Sequence, residues 1–184
     1  DIDFIAELKK DYPMLDDDVL AHLREHSIEV QLPFLQFIYG NTFRLVPIVV
    51  KDIEYETSKE FAKVLYEIAM KMSKKTVVIA SSDFTHHGYI YGYVLYRDNV
   101  SENVRNLDTM FINEVIKLDT KAFLSAIRKY DATVCGYGAI ATVIEYAKIL
   151  QSKAKLLKYY HSGDVTGDED TVVGYASILF YKER

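Results

Sequence analysis

The chain has 184 residues, the length of one domain, and is long enough to bury a core without disulfides or a structural metal. Its composition, 49% hydrophobic and 27% charged, is ordinary for a globular protein and excludes a disordered or fibrous chain. A formal charge of -5, from 22 basic against 27 acidic side chains, leaves no phosphate-binding footprint, so nucleic acid is not the expected partner. No apolar run approaches the ~18–20 residues of a membrane span, and the opening Asp1-Ile2-Asp3-Phe4 is not a leader, so no membrane association is expected. The single cysteine, Cys135, excludes an internal disulfide framework. It suits a reducing compartment, and a cytoplasmic location is expected.

Phe4, Ile5 and Leu8 recur at helical spacing and predict a short amphipathic helix over Asp1–Lys10, closed near Pro13. Glu25 to Pro33 leads into Phe34, Leu35, Phe37 and Ile38, a second helix with Pro33 in its first turn or kinking it and Gly40 closing it. Phe43 to Val50 is a nearly continuous apolar run and predicts a strand covered on both faces. Thr57 and Glu60 have capping-box spacing, and Phe61, Val64, Leu65, Ile68 and Met72 follow on one helical face. Thr76–Ala80 predicts a short central strand. Val104, Leu107, Phe111, Val115 and Leu118 form a helical stripe, after which Asp119 caps a short helix carrying Phe123 and Ile127. A helix with Ile140, Val143, Ile144, Ala147 and Leu150 facing inward follows Cys135-Gly136-Tyr137-Gly138. Leu156–Tyr160 and Val172–Phe180 are the last two strands.

This alternation predicts one α/β domain over residues 1–184, three-layered, with a mixed sheet flanked by helices on both faces. Val46, Ile48, Phe61, Leu65, Val78, Ile79, Phe111, Ile140, Val143, Ile144 and Ile178 are its expected core. About four strands make a small sheet, which leaves room for further strands from an absent segment or a partner chain.

In open α/β sheets ligands collect beyond the carboxyl ends of strands. The Thr76–Ala80 strand delivers Ser81 to Gly88 there. Asp83, three residues before His86, can orient its imidazole or share a proton with it. A polar surface turn is the plain alternative. Cys135 precedes Gly136-x-Gly138 and a helix, a place that favours a nucleophilic or metal-binding thiol. A lone cysteine is nevertheless more often a small buried apolar residue. The two glycines imply close backbone approach. His26 reads as a buried, hydrogen-bonded residue at a helix start. His161-Ser162-Gly163-Asp164 reads as a tight turn with positive φ at Gly163, and Gly167-Asp168-Glu169-Asp170 adds acid to the same loop. Asp83, His86 and Cys135 are expected to converge on one cleft.

Four words, Glu25–Phe34, Ser81–Gly88, Cys135-Gly136 and Ser162–Asp168, resemble the Memo family over essentially the whole chain. That resemblance implies a fold similar to class III extradiol dioxygenases and a sheet-end pocket where histidines and one cysteine bind iron or copper. It implies that Cys135 is the metal ligand and that His86 and Asp83 are the acid/base pair. The family's other metal-binding histidines lie in N-terminal Gly-His and Gly-Pro-x-His motifs, neither of which occurs in this sequence. The chain therefore resembles the C-terminal portion of the family's domain. By itself it is expected to bind iron or copper weakly or not at all.

Three functions remain open. The first is a metal-dependent redox or dioxygenase-like enzyme; a thiolate in the ligand set favours copper or another thiophilic metal. The second is a non-catalytic module for a peptide or small ligand, since family members have been described as binding phosphotyrosine peptides. The third is a component of a modification system with a radical S-adenosylmethionine protein and an AMMECR-type protein. Homo-oligomerisation stays open, and the substrate-binding residues stay unassigned.

Overall fold

The structure is a computed structural model and describes residues 1–168 and 170–183. Glu169, part of the acidic loop, lies outside the described residues.

Helix α1 (Ile2–Asp11) opens under an Asp1 cap on the Phe4 amide and buries Phe4 and Leu8. A short α2 (Val19–Leu23), not expected from the sequence, is capped by Asp18. A 3-10 turn, Glu29–Gln31, runs into α3 (Leu32–Tyr39), which has Pro33 in its first turn and ends at Gly40 with φ 59°. That is the position where a helix exit needs positive φ, which glycine adopts without strain. Helix α4 (Tyr55–Lys71) starts at Glu54, so Thr57 lies inside its first turn and is not the expected cap. Phe61, Leu65 and Ile68 face the core, as their spacing requires. Helices α5 (Val100–Ile116), α6 (Thr120–Lys129) and α7 (Tyr137–Ile149) bury the predicted stripes. Asp119 caps α6 through the Ala122 amide at 2.9 Å.

The sheet differs from expectation. Among the described residues it is antiparallel rather than mixed, with three strands in the order β1 (His86–His87), β3 (Val172–Tyr181), β2 (Lys153–His161). His86 stands opposite Val173, and β2 pairs with β3 from Lys153 opposite Tyr181 to His161 opposite Gly174, with an irregularity between Leu156 and Lys158. A short helix α8 (Gly163–Thr166) joins β2 to β3 in place of a simple turn. Positive φ falls on Gly167, not on Gly163. Gly163 is needed for space, because a Cβ there would sit 2.5 Å from the Asp168 carbonyl oxygen. Leu156, Tyr159, Ala176, Ile178 and Phe180 pack on the core of α5, α6 and α7. Leu157, Tyr160 and Leu179 on the same strands are exposed, so helices cover one face of the β2–β3 pair and not both.

Residues 43–50 and 76–80, the two expected core strands, belong to no described ladder. Burial alternates along both: Val46, Ile48 and Val78 pack against a cluster built by α1, α4 and Tyr146 of α7, while their neighbours face out. Ile79, expected in the core, is 52% exposed, and Val77 is 78% exposed. Val46, Ile48, Val78 and Ile178 are half-buried. Helices cover one face of each segment, and among the described residues no strand pairs with either.

Candidate functional site

Residues 81–88 carry the chain from the end of the 76–80 segment into β1. The Phe84 amide donates to Gly174 O at 2.8 Å, and the Gly174 amide donates to Thr85 O at 3.0 Å. The His86 amide donates to Thr133 Oγ1, whose hydroxyl donates back to the His86 carbonyl, both at 2.8 Å. This fixes the backbone of His86 to the segment that leads to Cys135 two residues later. The imidazole Nε2 lies 3.2 Å from Asp83 Oδ2. On its other side the ring lies 5.2 Å from that of Tyr91.

Cys135 is exposed, so the reading of a small buried apolar residue does not hold. It stands just before Gly136, the N-cap of α7. The Gly136 amide donates to Ser82 Oγ at 2.9 Å, and the same oxygen lies 3.9 Å from Cys135 Sγ. A Cβ on Gly136 would lie 2.5 Å from Ser82 Cβ and 2.8 Å from Ser81 O. One on Gly138 would lie 2.8 Å from Lys51 O. Each glycine thus admits a different extended segment against the start of α7, the close approach that the Gly-x-Gly spacing implied.

The structure brings Asp83, His86 and Cys135 together. One carboxylate oxygen, one imidazole nitrogen and the sulfur lie within 4.8 Å of one another. The first two residues are half-buried and the third is exposed. A carboxylate, an imidazole and a thiol in such a cluster can hold a borderline or soft cation, or can orient and move a proton. Gln31 reaches the same loop, its Nε2 donating to Ser81 Oγ at 2.9 Å.

Other candidates stay apart. His26 is not buried: its side chain is 81% exposed and lies 3.7 Å from Glu29 Oε2. His161 is buried under α8, where Nδ1 accepts the Asp164 amide at 3.3 Å. Asp164 accepts the His161 amide and both oxygens face Arg105 at 2.8 Å. The His161 amide first, and then Arg105, hold this carboxyl below its ordinary pKa. His87, next to His86, is buried with its ring between the Asp170 carbonyl and the Tyr96 amide, a packing role.

Sequence reasoning singled out neither Thr133 nor Asp108, and it gave no separate role to Ser82 or Gln31. Asp108 of α5 is fully buried, accepting the Thr85 amide at 3.1 Å and the Tyr159 hydroxyl at 2.7 Å. Burial pushes its carboxyl upward, against these hydrogen bonds. Gly174 leaves the space this carboxylate occupies, since a Cβ there would overlap Asp108 Oδ2. An acidic residue on the inward stripe of α5 was the available signal.

A family model described as Memo-like protein matches residues 1–179. A MEMO1 family protein of Desulfurococcus amylolyticus is 43% identical over 164 residues, covering 89% of this chain and 54% of that protein. One of Methanopyrus kandleri is 38% identical over 181 residues, covering 98% of this chain and 60% of that protein. One of Pyrococcus abyssi is 38% identical over 186 residues, covering 97% and 64%. The chain thus spans a little over half to under two thirds of the length of these relatives. Among the described residues no helix is long and apolar enough to cross a membrane.

Proposed function

Because the chain belongs to the Memo-like protein family, we propose that Asp83, His86 and Cys135 are its contribution to a metal-dependent redox site, with iron or copper as the metal. The observation that supports this reading is the cluster itself: three donors of different hardness from distant segments within 4.8 Å. The donor chemistry fits such an ion, with Cys135 Sγ as the soft ligand. When bound, the metal would supply a Lewis acid and a one-electron couple.

The chain's own residues have separate tasks. A carboxylate only accepts, so Asp83 Oδ2 takes Nε2–H of His86. That leaves Nδ1 as the basic nitrogen, able to hold or move a proton on bound substrate. Thr133 keeps the His86 backbone in place while the ring works. Ser82 and Gly136 set the height of the sulfur. Three potential donors, two of them hydrogen-bonded to each other, fall short of the four of a closed site. Weak binding by this chain is therefore expected.

Calorimetric titration with copper or iron, backed by elemental analysis, tests the reading on the full chain. Weak binding that falls about tenfold or more in Cys135→Ser and is little changed in His86→Ala is expected. Absence of binding, or binding that Cys135→Ser leaves unchanged, would overturn it.

A further inference from the structure

A groove of about 410 Å³ runs between residues 76–82 and β3, with α7 as its floor. Val78 and Ala80 stand on one side, Ile178 and Phe180 on the other, and Ile140 and Val143 below. Among the described residues no charged side chain lines it. At one end its two edges are joined by the pair of bonds between Phe84, Thr85 and Gly174. Beyond that point they part, and among the described residues no backbone bond links 76–82 to any other segment.

We infer that this groove is the slot for one extended strand, apolar at successive positions, drawn from the polypeptide that the relatives carry beyond the stretch matched by this chain. Three observations carry the inference. The first is geometric. Two extended edges that begin as paired neighbours and then diverge over a common helix leave room for an intervening strand, which needs about 9–10 Å between its neighbours. A helix, 10–12 Å across, would not enter where the edges are still bonded to one another.

The second is chemical. Thr76-Val77-Val78-Ile79-Ala80 is a β-branched run of the type buried on both faces in a sheet, yet Val77 and Ile79 are exposed and line the groove. Its backbone donors and acceptors form a bare edge, which natural sheets seldom leave next to apolar side chains. An inserted strand takes up the backbone groups of that edge, sets side chains beside Val77 and Ile79 on one face, and lays others over α7 on the other. The absence of charge among the lining residues argues against a basic or acidic peptide.

The third is the extent of the match. The relatives are 38–43% identical across nearly all of this chain, while 54–64% of their own length is covered. Those proteins therefore carry substantial additional polypeptide from which a strand can come.

Synthetic peptides of about 12 residues, long enough for one strand, tiling the unmatched portion of the Desulfurococcus amylolyticus relative, test this on the full chain by titration and amide hydrogen exchange. One peptide or one contiguous pair should bind and slow exchange of residues 76–80 about tenfold or more, with little change in α1. Ile79→Asp, exposed in the free chain and so compatible with folding, should weaken that binding about tenfold or more. The inference is overturned if no peptide protects 76–80, or if Ile79→Asp binds as well as the parent. It is also overturned if 76–80 are already protected in a concentration-dependent dimer, which would make a second copy the occupant. Metal is absent from every arm, so the outcome does not depend on the proposed redox role.

Discussion

Two glycines and one buried acid decide the local geometry at the candidate site. The atoms that a Cβ on Gly136 would meet are Ser82 Cβ and the Ser81 carbonyl, neither of which is the flexible end of a long side chain. Gly136→Ala should therefore shift the Ser82–Cys135 contact and cost roughly 1–3 kcal/mol of stability, read as a lowered urea midpoint. An unchanged midpoint would mean that the loop yields freely. Asp108 makes a second prediction, about pH. Its folded pKa is raised by burial, so the native state holds its proton more tightly than the unfolded chain does. The stability this contributes is fully present below the ordinary carboxylate pKa and is lost as pH rises through the raised value. Asp108→Asn removes that titration while keeping shape. Its stability relative to the parent should improve in denaturant melts as pH rises from the ordinary carboxylate pKa through the raised one and then level off, and a difference flat throughout would contradict the assignment. Asp164 works in the opposite sense, losing its contribution as pH falls through a lowered pKa, so the comparison must be made between variant and parent rather than on the parent alone.

At the scale of elements, helix starts separate local from non-local causes. Asp119 accepts the Ala122 amide and stands where its sequence position required. Thr57 and Glu60 have the same kind of spacing, but α4 begins two residues before Thr57. The helix extends back to Tyr55 because Ser58 and Phe61 are already buried in its first turns, and packing outweighs a cap of about 1 kcal/mol. Asp119→Ala should cost about 1 kcal/mol, whereas Thr57→Ala should change stability by less than about 0.5 kcal/mol. Equal losses in urea melts would show that Thr57 caps after all. The periodicity of α5, α6 and α7 was legible for a related reason: each stripe meets a partner within the chain, so the 3.6-residue pattern and the buried face coincide.

At the scale of the molecule, apolar surfaces among the described residues stand exposed, two of them on segments the sequence reads as apolar elements. One is the groove beside residues 76–80. The other is α2 with α3, neither of which buries a residue, and where Phe37 is 92% exposed. Both fall in stretches whose composition reads as core, so the residues are suited to burial that these 184 residues do not themselves provide. The sequence by itself determined the helices of the central body, the last two strands, the cap at Asp119 and the family membership, because each rests on patterns spanning a few to a few tens of residues. It also marked Asp83 and His86 as a pair, since three residues of spacing at a strand end bring carboxylate and imidazole into reach. That Cys135 joins them was expected from its place at a helix start, but only the tertiary structure shows how, since nothing local relates residue 83 to residue 135; Ser82 and Gly136 make that connection across the chain. Tertiary structure also decided that residues 43–50 and 76–80 remain extended but unpaired. Apolar composition specifies that a segment should be buried, whereas a ladder needs a second edge at about 4.8 Å, and only the assembled chain shows whether that edge is there.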